Sequence, residues 1–143
     1  MTAADLIGTW ALVATAWKRA DGKHANPFGD GATGILTYDA AGYMAAQVMR
    51  AGRPQPAPDT HAGLDSAMAA AIPGYIAYFG TYEVAATGDV VHHTVIGATM
   101  PAWVGTTHNR RFTIAGGELT LVDDVIAADG VAVVASTTWR RVS

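Results

Sequence analysis

The 143-residue chain has no cysteine, which excludes disulfides, thiolate nucleophiles and thiolate-bound zinc together and fits a reducing compartment. No apolar run approaches the ~20 residues of a membrane span. Met1-Thr2-Ala3-Ala4-Asp5 has no basic stretch leading into an apolar one, so a soluble, cytoplasmic protein is expected. Glutamate is scarce: Glu83 and Glu118 are the only two, Glu118 falls in a hairpin turn, and most aspartates read as turn residues. A paired-carboxylate hydrolase is therefore not expected. Ser66, Ser136 and Ser143 lie outside any GxSxG turn, and Gly29-Asp30-Gly31 lacks the lysine and helix start of a phosphate loop. The formal charge of −3, from twelve acids against nine bases, supplies no footprint for nucleic acid or anionic membrane. No motif calls for a cofactor.

What is present is a regular alternation of strand-like runs and turns. Half the residues are hydrophobic, and a domain of this length buries roughly 68–70% of the surface its unfolded chain exposes. Asp21-Gly22, Ala41-Gly42, Gly88-Asp89, Gly116-Gly117 and Asp129-Gly130 each separate runs rich in Val, Ile, Thr, Tyr or Trp, the signature of hairpins. Strands are predicted at 8–18, 33–39, 42–50, 78–86, 89–98, 106–114, 117–124 and 130–142. Eight strands without parallel-sheet helices imply one all-β domain over residues 1–143, an eight-stranded up-and-down antiparallel barrel that closes to remove its edges. One stretch, Ala51 to Tyr78, interrupts the rhythm. Pro54, Pro56 and Pro58 require an extended loop. Asp59, Thr60 or Asp65 then caps a short helix over Ala62 to Ala71 with Leu64, Met68 and Ile72 on one stripe, ended by Pro73-Gly74. Such a helix either plugs a barrel end or serves as a lid.

These segments resemble the lipocalin-like domain family of small bacterial and fungal calycin-type barrels. The resemblance rests on Leu6-Ile7-Gly8-Thr9-Trp10, Asn26-Pro27-Phe28-Gly29, Gly34-Ile35-Leu36-Thr37-Tyr38, Gly42-Tyr43-Met44, Arg53-Pro54 and Tyr78-Phe79-Gly80-Thr81-Tyr82-Glu83-Val84. It continues through His92-His93, Pro101-Ala102-Trp103-Val104-Gly105-Thr106, Arg110-Arg111-Phe112 and Trp139-Arg140-Arg141-Val142. It implies a calycin-type barrel around a small ligand. The signal peptide, disulfide and Thr-Asp-Tyr segment usual in secreted lipocalins are not found here. By the same resemblance, Trp10 plugs the closed end beneath Arg140 or Arg141, a stacking worth ~0.5–2 kcal/mol, while Trp17 is expected to tolerate change better.

Alternation along the strands nominates a lining. From Trp10, the face with Leu12 and Ala14 is expected in the core. In the third strand Tyr43, Ala45, Gln47 and Met49 share one face and Met44, Ala46 and Val48 the other, and Tyr43 and Gln47 are expected to point inward. Tyr38, Tyr78, Tyr82, Trp103 and Asn109 extend the same wall. Only one of His92 and His93 can face the interior, either as a buried imidazole bonded to tyrosine or backbone or as an acid/base group. Glu83 faces out if Tyr82 faces in. Of Arg110 and Arg111, one faces solvent and the other anchors a ligand carboxylate or covers the rim. The five histidines at 24, 61, 92, 93 and 108 lack metal-ligand spacing.

The ligand-binding candidates are thus Tyr38, Tyr43, Gln47, Tyr78, Tyr82, His93, Trp103, Asn109 and Arg110. The expected partner is a small hydrophobic molecule, aromatic or terpenoid- or polyketide-like, with association into a homodimer left open. The competing expectation is a cofactor-independent isomerase, cyclase or dehydratase in which His92 or His93 and Tyr82 move a proton.

Overall fold

The computed structural model describes residues 1–23, 26–53, 73–126 and 129–143. Eight antiparallel strands form a closed barrel in chain order: β1 (Gly8–Arg19), β2 (Thr33–Tyr38), β3 (Tyr43–Met49), β4 (Tyr75–Val84), β5 (Val90–Ala98), β6 (Thr107–Ala115), β7 (Glu118–Ile126) and β8 (Ala132–Arg141). Closure comes from β1 pairing with β8, so that Leu12 lies opposite Trp139 and Arg19 opposite Val133. Among the described residues the closed barrel leaves no sheet edge for intermolecular pairing. The turn glycines supply the left-handed backbone these hairpins need: Gly116 and Gly117 both have positive φ, 59° and 78°, as a two-residue twisted turn requires. The β2–β3 hairpin is fixed by Asp39, whose Oδ1 accepts the N–H groups of Ala41 (2.9 Å) and Tyr43 (2.8 Å).

The expected strands all appear, and β4 begins at Tyr75, three residues before the predicted start at Tyr78. The predicted cap residues and helix within 59–72, with its lid reading, lie outside the described residues, as do His24, Pro54, Pro56, Pro58 and His61. A four-residue helix, α1 (Ala3–Leu6), precedes β1. No helix among the described residues is long and apolar enough to cross a membrane.

Two irregularities decide which side chains face inward. A bulge in β1 between Leu12 and Ala14 breaks the alternation. Trp10 and Leu12 face the core, Ala14 is exposed against expectation, and beyond the bulge Thr15, Trp17 and Arg19 take the less exposed side. A second bulge lets Gly80 of β4 oppose Val95 while Phe79 opposes Gly97. A Cβ on Gly80 would stand 1.8 Å from the Thr94 carbonyl oxygen, so only glycine permits that approach.

The interior has two zones. One is a close-packed end built from Leu6, Trp10, Leu36, Tyr38, Met44, Tyr82, Val91, Phe112 and Leu119. The other is a cavity of about 730 Å³ above it, and the size difference follows from sequence. Large side chains meet from several strands at the closed end. Toward the opposite end, Ala46, Val48, Ala135 and Thr137 are smaller and leave space unfilled by the described residues.

Candidate functional site

The cavity wall is mainly apolar and aromatic. Trp17 from β1, Phe28 from the β1–β2 connection, Val48 from β3, Ile76 from β4, Leu121 and Val125 from β7, and Trp139 from β8 all border it. A 3₁₀ turn over Pro101–Trp103 between β5 and β6 brings Trp103 to the wall. There its indole meets Tyr78 edge-on at 5.5 Å and His108 at 4.6 Å between ring centroids.

One side of this wall is polar. Tyr78, His108, Arg110 and Asp123 come from β4, β6 and β7. Arg110 and Asp123 form an ion pair through Arg110 Nη1 and Asp123 Oδ2, and Arg110 Nη2 lies 3.5 Å from His108 Nδ1. The guanidinium carbon stands 5.8 Å from the Tyr78 ring centre. Arg110 Nε is buried without a hydrogen-bond partner among the described residues. Burial lifts the Asp123 carboxyl above the ordinary carboxylate range, while Arg110 and His108 pull it back. His108 is held below the usual imidazole range by burial first and by Arg110 second.

Beneath the cavity floor lies a chain of three side chains. His93 is completely buried, its Nδ1 2.8 Å from the Tyr78 hydroxyl and its Nε2 2.7 Å from the Tyr38 hydroxyl. Burial, then the nearby Arg110 and His108, push the imidazole well below its ordinary range, so it is neutral at physiological pH. Burial likewise raises the Tyr38 and Tyr78 phenols. Tyr82 packs edge-on against Tyr38 at 4.7 Å and donates its hydroxyl to the Asp39 carbonyl at 2.6 Å.

The structure divides the sequence candidates into three groups. Tyr78, Trp103, Asn109 and Arg110 border the cavity. Tyr38, Tyr82 and His93 are buried outside its lining. Tyr43 and Gln47 face outward, contrary to expectation: Tyr43 is 54% exposed, and the exposed Gln47 side chain accepts a hydrogen bond of 2.5 Å from the Tyr75 hydroxyl. The physical reason is that Met44, Ala46 and Val48 form the apolar face of β3 and fill the interior. Asn109 reaches the cavity edge, but its side-chain oxygen is 2.5 Å from Nδ1 of the half-buried His92. Arg110 faces inward and Arg111 outward, where it pairs with Asp124 at 3.2 Å. Glu83 is exposed, as its alternation with Tyr82 required.

The trio His92, His93 and Tyr82 does not converge on the cavity. His92 is engaged with Asn109, Tyr82 is bonded to the backbone, and Tyr78 is the cavity residue in contact with His93. Among the described residues no group of three or more His, Asp or Glu side chains is placed to hold a metal. The sequence reading missed Trp17, His108, Asp123, Thr137 and Trp139 at the cavity. Asp123 was detectable: an acid two residues after Leu121 and two before Val125, on an otherwise apolar strand face, needs a buried cation.

Similarity to known proteins extends over most of the chain. The 4'-hydroxy-3'-methoxypropiophenone carrier protein ppsC of Aspergillus oryzae (strain ATCC 42149 / RIB 40) is 33% identical over 108 residues, 68% of this chain and 96% of the fungal protein. The crystal structure of rhizavidin aligns over 100% of this chain and 93% of its own at 12% identity, with a TM-score of 0.34. The lipocalin-like domain pattern matches residues 7–142, nearly the entire length. The chain belongs to the lipocalin-like domain family.

Proposed function

We propose that this protein binds a small, largely hydrophobic molecule, aromatic or terpenoid- or polyketide-like, within its barrel. The observation that carries the proposal is the cavity of about 730 Å³ with three tryptophans, Trp17, Trp103 and Trp139, on an apolar wall and a few polar groups gathered on one side. That combination of size, apolar lining and sparse convergent polarity is typical of small-molecule sites. The fungal relative named as the carrier of a propiophenone supports binding as the activity and an aromatic ring as part of the ligand. Binding is favoured over acid–base catalysis because His92, His93 and Tyr82 do not line the cavity and are each hydrogen-bonded to protein groups.

The test is a titration of tryptophan fluorescence with a panel of aromatic ketones, phenols, terpenes and short polyketides, followed by mass spectrometry of the recovered compound. Saturable quenching at one molecule per chain, with the compound recovered unchanged, is the expected result. Absence of saturable binding across the panel refutes the binding reading, and chemical conversion of a bound compound favours the catalytic one.

A further inference from the structure

The hydrogens of the Tyr38–His93–Tyr78 chain follow from counting donors and acceptors. A neutral imidazole carries one N–H and one bare nitrogen, so one tyrosine must donate to the ring and the other accept from it. Tyr38 is 2% exposed, and among the described residues its hydroxyl meets His93 alone. If Nε2 carried the proton, the Tyr38 hydroxyl hydrogen would be buried without an acceptor. If Tyr38 donates to Nε2, every group in that layer is satisfied, and Nδ1–H donates to the Tyr78 oxygen. The Tyr78 hydroxyl hydrogen is then left without an acceptor among the described residues, on a residue that borders the cavity.

A second observation concerns charge. Arg110 is the residue a ligand carboxylate would seek on this wall, but Asp123 already pairs with it, and His93 is held neutral beneath. The Arg110–Asp123 pair has no net charge. A ligand anion entering here would lose its hydration and meet a carboxylate as well as a guanidinium.

We propose that Tyr78 is the specificity-determining residue of the cavity, donating its hydroxyl hydrogen to an uncharged oxygen acceptor of the ligand, such as a ketone carbonyl, and that the wall discriminates against carboxylates. The proposal rests on the binding reading above and adds the ligand's polar chemistry to it. His93 and Tyr38 are positioning residues: they hold the Tyr78 oxygen as an acceptor from below, which turns its hydrogen toward the cavity.

Three probes of one ring system test this: naphthyl methyl ketone, ethylnaphthalene and naphthoate, each titrated at neutral pH against the wild type, Tyr78→Phe and Asp123→Asn. The wild type is expected to prefer the ketone to the hydrocarbon by about three- to tenfold, the worth of one neutral hydrogen bond, and to bind naphthoate most weakly. Tyr78→Phe should erase the ketone preference while ethylnaphthalene affinity holds. Asp123→Asn, which keeps an oxygen acceptor for Arg110 and removes the negative charge, should raise naphthoate affinity. The ¹⁵N shifts of His93 should report protonation at Nδ1, a readout independent of ligand and of any variant's folding. Equal loss of ketone and hydrocarbon binding in Tyr78→Phe, naphthoate binding as tight as the ketone in the wild type, or a proton on Nε2 overturns the proposal while leaving the cavity a binding site. Failure of all three probes to bind overturns the binding reading with it.

Discussion

The Arg141 guanidinium lies 4.1 Å from the centre of the Trp10 indole, and its two terminal nitrogens donate to the carbonyls of Ile7 (2.8 Å) and Asp5 (2.6 Å). Trp10 is fully buried and donates its own N–H to the Leu6 carbonyl at 2.9 Å. One tryptophan and one arginine therefore tie the start of the chain to the last strand, binding α1 over the closed end. Helix C-terminal carbonyls are otherwise unsatisfied, and here Arg141 and Trp10 supply their donors. Arg140 points to the outer face, 3.6 Å from Glu118.

Trp10→Ala is accordingly expected to cost ~3–5 kcal/mol, the range for truncating a buried large aromatic. Arg141→Ala should cost less but more than Arg140→Ala, whose exposed ion pair is worth ~0–1 kcal/mol. Urea midpoints of the three variants provide the measurement. Equal losses for Arg140→Ala and Arg141→Ala would remove Arg141 from its place as the closing residue.

Stability should fall on mild acidification. His93 titrates well below its ordinary range in the folded protein because it is buried and faces Arg110 and His108, whereas in the unfolded chain it titrates near 6.5. Its contribution is complete above pH ~6.5 and is lost as pH falls toward the depressed folded-state value, because only the unfolded chain takes up the proton. The limiting slope is about 1.4 kcal/mol per pH unit. His108, also depressed, acts with the same sign. Asp123, raised, acts with the opposite sign but only in the lower, carboxylate range. Urea midpoints should drop between pH 7 and 5 in the wild type. They should drop less in His93→Gln, whose overall stability is lower because Tyr38 loses its fitted partner. An unchanged slope in His93→Gln would contradict the assignment.

The barrel was legible because its determinants are local. Gly42, Gly88, Gly116, Gly117 and Gly130 all adopt positive φ where the sequence placed turns, and β-branched runs lie between them. The inward choice between His92 and His93 could not be read from alternation alone, since both faces of β5 alternate equally well. The β1 bulge had no sequence signal, and it reverses the face on which Ala14 and Trp17 fall. The polar character of Tyr43 and Gln47 suggests a cavity lining, but the apolar set Met44, Ala46 and Val48 is the stronger determinant of which face of β3 turns inward. Asp123 differs from the turn aspartates in lying within a strand, where it is the partner of Arg110.

The outward register of β3 has a direct check. Tyr43→Thr keeps strand propensity on an exposed face, and its effect on stability should stay within ~0.5 kcal/mol. Ala46→Glu, at a buried position bordering the cavity, should destabilise strongly because its carboxylate has no provided cation. Comparable thermal midpoints for the two variants would reverse the assigned faces.

The Arg110–Asp123 pair should behave as a unit. Its side chains are only 15% and 17% exposed, so each charge has exchanged most of its water for the other. Removing one partner leaves a charge uncompensated in the wall, which costs ~3–5 kcal/mol for buried pairs. Asp123→Leu should therefore be severe, as should Arg110→Met in reverse, where the orphaned carboxylate takes a proton and its titration moves further upward. The double variant Arg110→Met/Asp123→Leu replaces both charges with apolar volume and should recover most of the loss, because the desolvation penalty vanishes along with the attraction. Urea unfolding of the four proteins at neutral pH gives the coupling energy directly. Strictly additive single effects would show that the two charges are separately solvated and that the wall lacks the neutral pair on which ligand discrimination depends.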